Sequence, residues 1–218
     1  MPLRNKKFLT MLAAACLVFV MAGCKQNHET AEMKTIEPPE SGWTHEQISV
    51  VTYLCGKPFS LPCTLEDLTD DFKIGSEDFQ DNSYITVNGQ DSNFYTAHLL
   101  LDGESAGRAH YYENGEDKIV FCIDLSPDLY GRDIFVINGI NQNSLFSEVK
   151  QALGESFVLD TDIDIPCFYD LAIINSEYPE EHIRVMILND YEGITDDGII
   201  DEGIIGFCYS LFEAKREK

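Results

Sequence analysis

The sequence predicts an α+β fold: antiparallel sheet covered by short helices, with two tandem helix-plus-sheet units as one arrangement of it. Three observations lead there. Short runs rich in β-branched and aromatic residues recur between turn signals from residue 48 to residue 212. Helical periodicity is confined to two stretches, one in each half of that region. The element order also repeats, with SLPCTLEDL beside NSLFSEVKQALG and VFCIDL beside GFCYSL. Strands in runs with helices set apart from them point to antiparallel sheet packed on helices, not to alternating βαβ units.

Residues 1–23 read as a signal segment. Arg4, Lys6 and Lys7 make a basic start, and residues 8–21 are apolar except for Thr10. That run falls short of the about 20 residues a membrane-spanning helix takes. A basic start, a short apolar core and small residues before a cut form the secretory pattern. Met21-Ala22-Gly23-Cys24 resembles the bacterial lipobox, with Met21 where the family usually has Leu. The resemblance implies cleavage before Cys24, diacylglycerol and palmitate-type acylation there, and a chain tethered to the extracytoplasmic face of the cell membrane; two acyl chains anchor stably. An ordinary signal peptide, or an uncleaved anchor helix, is the other reading.

Residues 24–47 read as a flexible tether: polar, charged, carrying Pro38-Pro39 and Ser41-Gly42, with Trp43 near its end able to pack back onto the domain. Two halves come next, 48–126 and 127–218. In the first, ISVVTYL predicts a strand, Gly56-Lys57-Pro58 a turn, FSLPC an extended piece and TLEDLTDDF a two-turn helix. Thr64 suits its N-cap, Glu66 and Asp67 its positive end, and Leu65, Leu68 and Phe72 share a face. Strands come at 84–87 and 94–101, a loop at 102–107, and a hairpin of 108–113 with 118–125 around Asn114-Gly115. In the second half, SPDLYGRD is a connector, FVI a strand and NGINQN a turn. A helix spans 144–153, with Ser144 as cap, Leu145, Val149 and Leu153 at helical spacing, and Gly154 at its end. Strands are predicted at 156–159, 168–174, 182–188 and 203–212, with the longest turn at 189–202.

GKPFSLPCTLEDL and GINQNSLFSEVKQALG resemble segments of small exported Firmicutes lipoproteins, although LTDDFKI stands where the pattern has a Gly after the first helix. The broader resemblance, over about residues 49–212, is to folds related to the β-lactamase inhibitor protein and the small outer-membrane assembly lipoproteins. It implies helix-plus-sheet units and a protein-binding role.

The formal net charge is −23. Residues 1–23 carry three basic residues and no acid, so the chain beyond them stands at −26. That surface repels phosphate backbones and anionic headgroups, which argues against nucleic acid and for cations or a basic protein patch. The alternative is a solvated acidic surface that favours solubility. A hydrophobic content of 44% with 11% aromatic is ample for a core. Beyond Cys16 and Cys24 lie Cys55, Cys63, Cys122, Cys167 and Cys208, an odd number that leaves at least one thiol free. Cys55 and Cys63 bracket a turn-rich segment that brings them within reach of a bridge. The other three sit in apolar runs and read as buried thiols.

Gly103-Glu104-Ser105-Ala106-Gly107 matches the G-x-S-x-G nucleophile elbow, with His182 and Asp124 or Asp170 downstream. The elbow needs a helix after the serine, and Asn114-Gly115 reverses the chain too soon for one. The segment therefore reads as a polar loop tip. His98 and His110 flank that loop and could face one another across a hairpin; a metal would want more ligands, so they read as paired structural histidines. DYEGITDDGIIDEG fails the EF-hand spacing, leaving a looser calcium site through Asp190, Asp196, Asp197 and Asp201, or a solvated turn, in the Asp190–Glu202 loop. Phe94, Tyr95, Tyr111, Tyr112 and Tyr169 lie on predicted strands as a binding face or as core. The expectation is a non-catalytic, lipid-anchored module that binds an envelope or extracellular protein or peptide, with no cofactor, metal or catalytic residue and with Cys24 as the lipidated position. The alternatives are a small exported hydrolase using Ser105 and a cation-binding envelope protein.

Overall fold

The computed structural model describes residues 33–125, 134–154, 167–174, 176–187 and 204–216, and the first helix among the described residues falls where the sequence predicts a strand. α1 (His45–Val51) occupies the first part of ISVVTYL. Thr44 and Gln47 close a capping box: the Gln47 amide donates to Thr44 Oγ1 at 3.3 Å, and the Thr44 amide to Gln47 Oε1 at 3.0 Å. Satisfying those two end amides outweighs the weak helix preference of the β-branched residues behind them. Ile48 and Val51 face the core, and Thr52 turns the chain into β1 (Thr52–Leu54). Residues 34–43, within the stretch that reads as tether, are held to the fold. The Lys34 amide donates to Tyr53 Oη at 2.7 Å. Trp43, 1% exposed, donates from Nε1 to the Leu153 carbonyl at 2.8 Å.

The predicted α+β class is corrected by the strands. Of the described residues 54% are strand and 12% helix, and the main sheet curls as a half-barrel instead of lying under helices. β1 pairs with β2 (Lys57–Pro58) and β8 (Phe135–Ile137) in a small sheet. The large sheet holds β3 (Cys63–Thr64), β4 (Lys73–Val87), β5 (Gln90–Leu101), β6 (Glu104–Asn114), β7 (Asp117–Leu125), β9 (Cys167–Ala172), β10 (His182–Ile187), β11 (Ile204–Ser210) and β12 (Lys215–Arg216). Its order is β12-β4-β5-β6-β7-β11-β10-β9, with β3 beside the start of β7, and every described pairing is antiparallel. Tandem units do not form. β7 pairs with β11, β12 with β4 and β1 with β8, so strands from both sides of residue 126 interleave in each sheet.

The meander β4–β7 turns on residues suited to positive φ: Asn88-Gly89 (φ 50 and 76), then Asp102-Gly103 (φ 54 and 88), the pattern of type I′ hairpins. β4 starts eleven residues before the predicted strand at 84. KIGSEDFQDNS lacks alternation because this is an exposed edge, interrupted twice by register shifts. Acids and bulges there discourage pairing with another chain.

The helix predicted over 64–72 contracts to one 3-10 turn, Glu66–Leu68. Leu65, without a side-chain cap, takes the N-cap position expected of Thr64; Thr64 Oγ1 still accepts from the Asp67 amide at 3.3 Å, and Leu65, Leu68 and Phe72 are buried. Cys63 and Thr64, however, pair with Val120 and Ile119, which draws the entry into the sheet. α2 (Phe146–Leu153) begins after Leu145, not at Ser144: the Leu145 amide donates to Glu148 Oε2 at 2.7 Å, while Ser144 Oγ accepts from Asn141. Val149 and Leu153 are buried, Leu145 is exposed, and Gly154 ends the helix at φ 95. β9, β10 and β11 coincide with three predicted runs. Residues 1–32, the connector 126–133, the run 156–159 and the turn 189–202 lie outside the described residues.

Pairing sorts the two faces of the large sheet. Ala97, Ala109, Ile123, Tyr209, Ile183 and Leu171 form one directly paired row across β5, β6, β7, β11, β10 and β9. None is more than 2% exposed. Burial of each large apolar side chain there stabilises the fold by about 2 kcal/mol. With a side-chain period of two, the neighbouring row turns the other way. It reads His98, Arg108, Asp124, Cys208, Arg184 and Asp170.

Candidate functional site

Ser105 is the second residue of β6, exposed, and paired with Leu100 across the Asp102-Gly103 hairpin. The chain after it continues as strand. That strand, β6 to Asn114, stands where the elbow needs a helix start, so the elbow geometry is absent. His182 stands three strands away, about 14 Å in the pairing direction alone. Asp170 is held instead by Arg184, at 2.9 Å. Asp124 is opposite Arg108; burial pushes its carboxyl up against the opposing pull of that guanidinium.

The two flanking histidines do not face each other. His98 is opposite Arg108, with Nε2 3.4 Å from Asp78 Oδ2. His110 is opposite Thr96, with Nδ1 2.8 Å from its hydroxyl, and burial, with Arg108 second, pushes the ring down to about 4. Among the described residues no cluster of three or more His, Cys, Asp and Glu is placed to hold a metal. Asp190, Asp196, Asp197 and Asp201 lie outside them, as does Cys24. Of the candidate aromatic face, Phe94, Tyr111 and Tyr169 are buried, so those three serve as core. Tyr95 is half-buried and stacks on Tyr111 at 5.2 Å.

Tyr112 has a different setting. It lines an open cleft of about 500 Å³ with Tyr178, Phe212, Glu177, Glu180 and Lys215, between the β4–β5 turn and the chain entering β10. Phe212 packs edge-on against both tyrosines, at 6.4 Å from Tyr112 and 5.6 Å from Tyr178. Lys215 is paired with Glu180 at 3.0 Å. Burial works to raise the Glu180 carboxyl, but bonds from the Glu213 amide and Lys215 bring it below its usual range. The Tyr178 phenol is pushed up to about 12, first by burial and then by the charge of Glu177.

A buried carboxylate supports this cleft. The Glu181 side chain is fully buried and accepts from Tyr209 Oη at 2.7 Å and from Ser176. His45 Nδ1 lies 2.9 Å from the same carboxylate, and the His45 ring packs against Tyr178 at 5.7 Å. The network ties α1 to the entry of β10 and to β11, and so sets Tyr178 in the cleft wall. A Glu within SEYPEEH reads as a solvated charge, so sequence patterning does not single out Glu181; nor does it bring together Tyr112, Tyr178 and Phe212, which lie far apart in the chain.

The Cys55–Cys63 bridge that the turn-rich segment could allow is not formed; both thiols are free. Burial, the first cause for each, pushes them up to about 11 and about 12. Cys122 and Cys208 are free as well, with their sulfurs 3.7 Å apart.

No known protein family, curated protein or solved structure matches this chain.

Proposed function

We propose that this chain is a membrane-anchored extracytoplasmic lipoprotein, lipidated at Cys24, whose folded part is a non-catalytic module that binds an envelope or extracellular protein or peptide. The anchoring half rests on the basic start, the short apolar run and the lipobox-like Met21-Ala22-Gly23-Cys24. The binding half rests on the cleft of Tyr112, Tyr178 and Phe212 with Glu177 on its rim, where Glu180 is already paired with Lys215. Aromatic faces beside carboxylates suit a cationic side chain, the rings through their quadrupole and the acids through charge. The net charge of −23 steers basic partners toward it and turns nucleic acid away. The partner chemistry is therefore an extended segment presenting Arg or Lys. A photo-crosslinking residue in place of Pro179, an exposed residue of the cleft wall, in the full chain tests this. Capture of one partner through a basic segment supports the proposal, and capture through acidic or apolar segments contradicts it.

A further inference from the structure

Cys208 stands in the polar row of the large sheet, directly opposite Asp124 on β7 and Arg184 on β10. Cys122 is two positions earlier on β7, paired with Ser210, so the two cysteines are diagonal neighbours with sulfurs 3.7 Å apart. His182, two positions before Arg184 and opposite Ser210, shares this face. Its Nδ1 lies 2.9 Å from the Glu180 carbonyl. A carbonyl only accepts, so Nδ1 carries the hydrogen and Nε2 keeps its lone pair. His182 is hydrogen-bonded to Cys208, a bond that the remaining nitrogen can accept, and the Cys122 and Cys208 thiols are in hydrogen-bond contact with each other. Both contacts favour the Cys208 thiolate, whereas Cys122 is pushed up and stays a thiol. Cys208 is half-buried and Cys122 buried, so a reagent meets Cys208 first.

We propose that Cys122 and Cys208 form a redox-active dithiol site that reacts with low-molecular-weight disulfides, Cys208 attacking and Cys122 resolving, to give a cross-strand bridge between β7 and β11. Cys208 passes its proton to His182 Nε2, and its sulfur attacks one sulfur of the reagent, RSSR. The reagent's S–S bond breaks, a mixed disulfide forms on Cys208, and the departing RS⁻ takes the proton from His182 to leave as RSH. The Cys122 sulfur then attacks Cys208, expelling the second RS⁻, which leaves as RSH with the Cys122 proton. Two electrons pass from the dithiol to the reagent. The sulfurs must close from 3.7 Å to about 2 Å. In a diagonal pair that needs a shift of β11 along β7, so the bridge is readily reduced again. It would lock the junction between the meander β4–β7 and strands β9–β11.

The test uses the full chain, reduced, freed of reductant and incubated with excess oxidised glutathione, then acid-quenched, alkylated and peptide-mapped. The expected product links Cys122 to Cys208. Cys122→Ser should accumulate glutathione on Cys208, Cys208→Ser should leave Cys122 unmodified, and His182→Gln should slow the first step at least about tenfold. Melting curves matching that of the reduced parent show that each variant folds, and Cys208→Ala replaces Cys208→Ser if the hydroxyl disturbs the strand. The proposal is overturned if folded Cys122→Ser leaves Cys208 free of glutathione, or if Cys208 bridges to a different cysteine.

Discussion

The α-carbon of Gly107 rests against the main chain of Asp124 so closely that a Cβ at 107 would sit 2.1 Å from the Asp124 carbonyl oxygen. Leu125 Cα would be 2.8 Å away, and the φ of 141 disfavours any side chain. This contact sits where β6 meets β7, beside a register shift between β5 and β6. Gly107→Ala should therefore cost about 3 kcal/mol or more, because backbone, not a flexible side chain, must move. Urea unfolding checks it. Gly103→Ala, with open space around its Cβ position, should cost less.

The depressed His110 sets a direction for pH dependence. An unfolded histidine titrates near 6.5, and the folded ring is pushed down to about 4 by burial and by Arg108. Between those values the unfolded chain binds a proton that the folded one refuses, so stability falls as pH drops through the window and this contribution levels off below about 4. The full change is about 3 kcal/mol at most. His110→Gln should flatten the stability profile between pH 6.5 and 4, measured by unfolding at fixed ionic strength.

Tyr209→Phe removes one donor from the fully buried Glu181 carboxylate and leaves the ring packing in place. A buried charge short of one bond should destabilise the fold by about 2 kcal/mol. Glu181→Gln in the same background should recover part of the loss, because the charge is then gone. Thermal melting of the single and double variants measures the coupling.

Metabolic labelling with a palmitate analogue addresses the anchor. The parent chain should carry label and sediment with membranes, and Cys24→Ser should lose both. Label retained by Cys24→Ser would count against the lipobox reading.

Much of the strand content was legible because alternation survives where one face is buried. β9 and β10 fall on predicted runs for that reason and β11 through its near-continuous apolar run, and the exchange of Leu65, Leu68 and Phe72 from helix face to turn still left all three buried. Two local signals were available in the sequence. Thr44-x-x-Gln47 is a capping box that turns ISVVTYL toward helix, and Asn88-Gly89 is a hairpin turn that extends β4 and β5. The class itself was not legible, because it depends on long-range pairing. β11 keeps its neighbour β10 but pairs on its other edge with the distant β7, and the short β12 returns to β4. The same distance hides the cleft and the thiol pair: Cys122 and Cys208 are 86 residues apart and become neighbours only through β7–β11 register.

The most direct test of the binding proposal is titration of the detergent-solubilised full chain with extended peptides that differ only in Arg against citrulline. The Arg form should bind saturably, and Glu177→Gln or added salt should weaken that binding about tenfold or more. Equal binding of the two forms, or Arg-dependent binding untouched by Glu177→Gln, would contradict a cleft built for a basic segment.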